Sequence, residues 1–146
     1  MTEPAALPPA WENPAFVAVR CFACGEPHDR HTALTVCRSC GLPLRVDYDH
    51  ARAPLAPSAL LGRPASLWRY REVLPIRPEH AVSLVEGWTP LCPIGDRLFV
   101  KDESRNPTGS FKARGIALAV SMARALGARA LSAPSAGNAA GALAAY

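Results

Sequence analysis

Asn106-Pro107-Thr108-Gly109-Ser110-Phe111-Lys112-Ala113-Arg114-Gly115 leads into a run where Ile116, Ala119, Val120, Ala123 and Leu126 recur at helical spacing, with Arg114, Ser121 and Arg124 on another face. The spacing predicts an amphipathic helix that follows a glycine- and serine-bearing turn and stops at Gly127. Ala128 to Ala133 then reads as a buried strand, Pro134 to Asn138 as a turn, and Ala139 to Tyr146 as a second helix. Helix, strand, turn and helix in this order make a piece of a parallel α/β sheet. A lone βα unit cannot bury both faces of its strand, and the last helix carries no stop signal, so the chain is expected to be cut off in mid-domain.

Upstream the pattern changes. Arg97 to Val100 reads as a brief strand and Ser66 to Tyr70 as a short helical turn, while Pro54, Pro57, Gly62 and Pro64 interrupt any regular element and mark a linker. Cys21 to His50 is a compact cysteine-bearing segment, and the first residues, rich in proline and alanine without a period, read as a loose arm. The expected organisation is a flexible arm over 1–19, a metal-binding module over 20–50, a linker over 51–65 and an α/β part over 66–146. A chain of 146 residues with 49% hydrophobic and 19% charged residues is globular in composition, which excludes wholesale disorder. Its net charge of +4 is small and scattered, and names no nucleic-acid partner. No stretch of about 18 apolar residues is present, and Met1 to Pro14 carries Glu3, Glu12 and four prolines where a signal peptide needs a basic start and an apolar run. A soluble cytoplasmic protein with no membrane partner is expected.

Cys21-Phe22-Ala23-Cys24 and Cys37-Arg38-Ser39-Cys40 are two C-x-x-C pairs separated by twelve residues. Zinc prefers a tetrahedron of soft ligands, a C-x-x-C turn converges two thiolates on one ion, and two such turns close the site. Gly25 and Gly41 directly follow the pairs and supply the backbone freedom that tight turns require. Cys21, Cys24, Cys37 and Cys40 are therefore expected to hold a structural zinc in a ribbon-like module, with His28 and His31 as ordinary exposed loop residues between them. Between Arg20 and Arg52, five arginines face four acids, a net of +1, too little for a phosphate-tracking surface. Cys92, without a partner nearby, is expected to pack as a small apolar side chain.

Two lysines stand against fourteen arginines. Lys112 falls at the start of the expected helix, where the positive end of the dipole disfavours an ammonium relative to the free amine, and such an amine can attack a carbonyl. Lys101 reads as a strand-end residue paired with a nearby acid, and Trp68 and Trp88 as packing anchors.

Asn106 to Gly115 resembles the cofactor-lysine motif of fold-type II pyridoxal phosphate enzymes. Leu131 to Ala140, centred on Ser135-Ala136-Gly137-Asn138, is similar to the strand and asparagine loop that follow it, and Glu86-Gly87-Trp88-Thr89-Pro90-Leu91 to the segment that opens the catalytic domain. With the zinc-ribbon-like preface, residues 20–146 resemble the N-terminal part of a threonine synthase. The resemblance implies an α/β fold, an incomplete fold-type II domain of the tryptophan synthase β type behind a small zinc-ribbon-like module. It implies that Lys112 carries pyridoxal 5′-phosphate covalently and then shuttles protons, that Asn138 hydrogen-bonds the cofactor's 3′-oxygen, and that Ser135, Ala136 and Gly137 receive the substrate carboxylate. The implied reaction converts O-phospho-L-homoserine and water to L-threonine and phosphate.

The glycine-rich phosphate loop of that family and the group facing the pyridine nitrogen are not found in these residues, so the chain by itself is expected to be inactive. Homo-oligomerisation of the full-length protein is left open. Two alternatives stay beside the leading one: another enzyme of the same fold, such as a threonine dehydratase or a cysteate synthase, and a non-enzymatic zinc-ribbon interaction module.

Overall fold

Phe16-Val17-Ala18-Val19, where an aromatic and two β-branched residues surround an alanine, opens the first strand of the computed structural model, which describes residues 9–146. β1 (Phe16–Cys21) is the centre of a three-stranded antiparallel sheet ordered β2-β1-β3, flanked by β2 (Pro27–His28) and β3 (Leu44–Tyr48). Val19 lies opposite both His28 and Val46, and Cys21 opposite Leu44. Both cysteine pairs sit in the connections of this sheet, Cys21 ending β1 and Cys37 and Cys40 preceding β3.

The arm expected over 1–19 divides. Residues 1–8 lie outside the described residues, but from residue 9 the chain is packed, and the expectation of a loose segment is corrected there. Glu12 forms an antiparallel bridge with Ile76, Ala15 and Phe16 are buried, and the Asn13 side chain accepts from the Ala15 amide at 2.9 Å while donating to the Arg71 carbonyl. Proline and alanine suggested an arm, but Trp11, Glu12 and Phe16 anchor it to distant parts of the chain.

Two short 3₁₀ turns, His50–Arg52 and Pro57–Leu60, punctuate the expected linker, and a 3₁₀ segment, Leu67–Val73, kinked at Tyr70, follows the proline at 64. That segment delivers Trp68 to the core, where it packs with Leu74, Ile76 and Ala117, against Trp11, Leu118, Met122 and Tyr146. β4 (Leu91–Gly95) and β5 (Leu98–Lys101) form a separate antiparallel hairpin with Leu91, Ile94, Leu98 and Phe99 exposed. Cys92, half-buried, lies opposite Val100 within it.

The predicted helices are present as α1 (Lys112–Ala125) and α2 (Asn138–Ala145), and Gly127 follows α1 at φ +81°. The buried face of α1 is not the one its large apolar residues mark. Ala113, Ala117 and Ser121, at i, i+4 and i+8, are the fully buried set, whereas Ala119 is exposed. Small side chains let neighbouring backbone approach closely, and the Ser121 hydroxyl is satisfied there, donating to the Ala117 carbonyl at 2.6 Å and accepting from the Val82 amide at 2.8 Å. The strand expected over Ala128–Ala133 is also corrected: the segment is irregular and exposed, and both sheets among the described residues are antiparallel. A strand needs a neighbour for its backbone groups, and none pairs with it among the described residues. The result is a mixed α/β structure with a small N-terminal four-cysteine module. No helix among the described residues is long and apolar enough to cross a membrane.

Candidate functional site

Each C-x-x-C turn closes on a glycine in the left-handed region, Gly25 at φ +76° and Gly41 at φ +72°. The glycine amide returns to the carbonyl of the first cysteine, at 3.2 Å for Cys21 and 2.9 Å for Cys37. All four thiols are free, and their sulfurs lie within 4.8 Å of one another. Cys21 Sγ is 3.4 Å from Cys40 Sγ, and Cys24 Sγ is 3.7 Å from Cys37 Sγ and 3.6 Å from Cys40 Sγ. Tetrahedral zinc with bonds of about 2.3 Å holds its sulfurs about 3.8 Å apart, so both the donor set and its spacing fit that ion.

The electrostatics of the cluster point the same way. Amides of Cys24 and Ala23 pull the Cys21 thiol down to about 6. Cys40 is pushed up to about 12: the pull of the Leu42 amide is outweighed by its hydrogen bond with Cys21, by burial and by the other two thiols. Cys24 is also raised, against the pull of the Glu26 amide, by Cys21 beside it. Thiols this close cannot all ionise without a cation between them. A divalent ion would resolve that conflict, and four thiolates around it would leave no open position for substrate. The two histidines expected as ordinary loop residues both have defined partners: His28 Nε2 lies 3.3 Å from Cys37 Sγ, and His31 Nε2 lies 2.6 Å from the buried Glu12 carboxylate.

The second constellation starts at a tight loop. The Gly109 amide donates to the Asn106 carbonyl at 2.8 Å, and Ser110 Oγ accepts from the Lys112 amide at 3.3 Å. Lys112 is the first residue of α1 and is exposed, with Nζ 4.6 Å from the centroid of the Phe111 ring. It takes part in no ion pair among the described residues.

A polar network pins both ends of this loop, and none of its contacts was expected from the sequence. Asn106 Oδ1 accepts from the Gly87 amide at 3.0 Å, and its Nδ2 donates to the Glu103 carboxylate at 2.9 Å. Glu103 takes a bidentate pair from Arg114 at 2.7 and 2.8 Å and a hydroxyl from Thr89 at 2.6 Å. The Arg114 guanidinium holds the Glu103 carboxyl down at about 2, and Glu103 raises Arg114 in turn. Lys112 is thus flanked in sequence by two residues, Asn106 and Arg114, that share one carboxylate. Lys101, expected to meet an acid, instead donates to the Thr89 carbonyl.

Glu86, fully buried, accepts from Trp68 Nε1 at 2.6 Å, the Leu84 amide at 3.0 Å and the Tyr146 hydroxyl at 2.7 Å. Burial and that carboxylate hold the Tyr146 hydroxyl well above its usual range. Trp68 is the packing anchor expected of it. Trp88 is not: it is 57% exposed at φ +51°, with the Arg69 guanidinium 3.8 Å over its ring.

Ser135, Ala136, Gly137 and Asn138 are all exposed. Ser135 Oγ accepts from the Gly137 amide at 3.4 Å, and Gly137 caps α2 with no side-chain hydrogen bond, which leaves Asn138 as the first helical residue. Among the described residues no hydrogen bond joins Lys112 to this turn; the two stand at separate helix starts. An amine free of carboxylates suits an aldehyde, and amides without a side-chain cap suit an anion, so these residues fit what pyridoxal phosphate and an amino-acid carboxylate would need of them.

A family model described as Pyridoxal-phosphate dependent enzyme matches residues 82–146. The threonine synthase of Methanocaldococcus jannaschii is 37% identical over 137 residues, covering 87% of this chain and 34% of the relative. That of Methanosarcina acetivorans is 37% identical over 136 residues, covering 88% of this chain and 33% of the relative, and that of Synechocystis sp. is 44% identical over 108 residues, covering 64% and 27%. The chain spans about a third of the length of the first two relatives. No solved structure gives a significant match.

Proposed function

We propose, from the premise that the chain is a threonine synthase homologue, that the polypeptide carrying it converts O-phospho-L-homoserine and water to L-threonine and phosphate. One observation carries this: a match over 87% of the chain takes in both the four-cysteine module and Lys112 wherever it begins. Pyridoxal phosphate, when bound, supplies the electron sink that lets protons leave the carbon skeleton of the substrate. Lys112 would hold the cofactor through its amine and would move protons between Nζ and the substrate carbons, a role that its exposure and freedom from carboxylates support. Ser135, Ala136 and Gly137 offer a hydroxyl and amides at the start of α2 to the substrate carboxylate, and the Asn138 amide orients the cofactor ring. The network of Glu103, Arg114, Asn106 and Thr89 keeps the lysine loop in register with α1. Zinc bound by Cys21, Cys24, Cys37 and Cys40 holds the N-terminal module together without entering the chemistry.

The test is phosphate and threonine release from O-phospho-L-homoserine by the polypeptide that carries this sequence, with O-phosphoserine and L-threonine as competing substrates. Borohydride reduction with pyridoxal phosphate followed by peptide mapping should label Lys112, and Lys112→Ala should abolish label and turnover together. Label on another residue, or preference for a competing substrate, refutes the assignment.

A further inference from the structure

The first cysteine of each turn is buried, Cys21 to 1% exposure and Cys37 to 2%. A buried sulfur that carries charge loses water and needs hydrogen-bond donors from the protein. The two turns meet that need differently. Cys21 Sγ accepts from the amides of Ala23 and Cys24, both at 3.4 Å. Among the described residues the matching amides of the second turn, Ser39 and Cys40, give Cys37 no such bond, and the nitrogen facing its sulfur is His28 Nε2 at 3.3 Å.

The sheet sets the place of this imidazole. β2 pairs with β1 so that His28 lies opposite Val19 and Pro27 opposite Arg20, and the Cys21 amide donates to the Glu26 carbonyl at 2.9 Å. The strand that leaves the first cysteine turn therefore carries the imidazole to the second. Four sulfurs within 4.8 Å of one another are enough for a tetrahedral ion, which would leave no vacancy for a fifth ligand.

We propose that His28 is a positioning residue of the metal centre: its Nε2–H donates to the Cys37 thiolate and supplies the donor that the second turn lacks, without binding the ion itself. The proposal rests on the four cysteines being a zinc site. Four thiolates around a divalent ion carry a net charge of −2, and an N–H donor at Cys37 draws part of that charge away from the metal. Outer-shell donors of this kind are worth roughly 10–100-fold in metal affinity.

The experiment uses the full chain, loaded with Zn²⁺ and in parallel with Co²⁺, as wild type, His28→Ala, His28→Phe and His28→Gln. Chelator competition reads affinity, and the thiolate-to-cobalt charge-transfer and d–d bands read the ligand set. Wild type and His28→Gln, whose amide nitrogen reaches as far as Nε2, should bind alike. His28→Ala and His28→Phe should each lose about 10-fold or more in affinity with the four-thiolate spectrum retained. Phenylalanine preserves the ring volume, so a loss confined to His28→Ala would be a packing effect and would overturn the proposal. Unchanged affinity in both, or a cobalt spectrum that loses a nitrogen ligand, would overturn it too. A wild-type chain that bound no zinc would instead bring down the metal assignment itself, and the role of His28 with it.

Discussion

Gly87→Ala tests how closely the Glu86–Pro90 segment is held against the rest of the protein. Gly87 sits at φ +92°, and a Cβ built there would stand 2.6 Å from Leu67 N, 3.1 Å from Leu67 Cα and 3.2 Å from Arg114 Nη1. The first two are backbone atoms, and Leu67 N donates to the Glu86 carbonyl at 2.7 Å, so it cannot withdraw without breaking that bond. A left-handed backbone costs an L-residue about 1–2 kcal/mol, and a methyl forced into filled space costs about 1–3 kcal/mol more. The expected destabilisation is therefore roughly 2–5 kcal/mol. Gly62 is the control, at φ +76° with nothing within 4 Å of its Cβ position, so Gly62→Ala bears only the backbone cost of about 1–2 kcal/mol. Urea unfolding of the full chain, followed by circular dichroism, measures both. Equal losses in the two variants would refute the close approach of Leu67 to Gly87.

Acid should weaken the fold through Glu103 and Glu72, which Arg114 and Arg63 respectively hold at about 2 instead of the usual 4.5. Because these carboxyls are depressed in the folded state, their contribution is complete above about 4.5 and disappears as pH falls toward about 2. The urea midpoint should drop across that window, and less steeply in Glu103→Gln. Arg114→Met strips a half-buried carboxylate of its bidentate partner and should cost about 1–3 kcal/mol, while a double change with Glu103→Gln should cost less than the sum of the two; strict additivity by the same assay would argue against the pair. Chelation of zinc, or Cys40→Ser, should abolish fixed structure in the four-cysteine module while α1 keeps its circular dichroism signal; amide exchange resolves the two regions, and protection of residues 20–48 after metal removal would contradict it.

The four-cysteine cluster and the helix that starts at Lys112 were legible because each is local in the chain. A C-x-x-C turn brings its own two sulfurs together, and Gly25 and Gly41 sit where such turns need them. A start near Lys112 and a stop at Gly127 likewise follow from nearest neighbours, and α1 spans Lys112–Ala125 as that spacing requires. The lysine stretch and the cysteine pairs were also enough to point to threonine synthases, which the similarity to the matched relatives supports.

What the tertiary structure alone decided involves partners far apart in sequence. Ser121 is polar and shares a face with Arg114 and Arg124 by spacing, yet it is as fully buried as Ala113 and Ala117, and its hydroxyl meets the Val82 amide 39 residues away. The Glu103–Arg114 pair and the contact of His28 with Cys37 have no spacing signature, since each depends on where separate segments cross. Residues 9–19 looked loose for the same reason, their anchors at Arg30, Arg71 and Ile76 lying downstream. Ala128 to Ala133 shows the converse: apolar composition marks a candidate strand, but only a hydrogen-bonded neighbour makes one. Short-range geometry is written in adjacent residues, whereas burial and pairing depend on which distant surfaces meet.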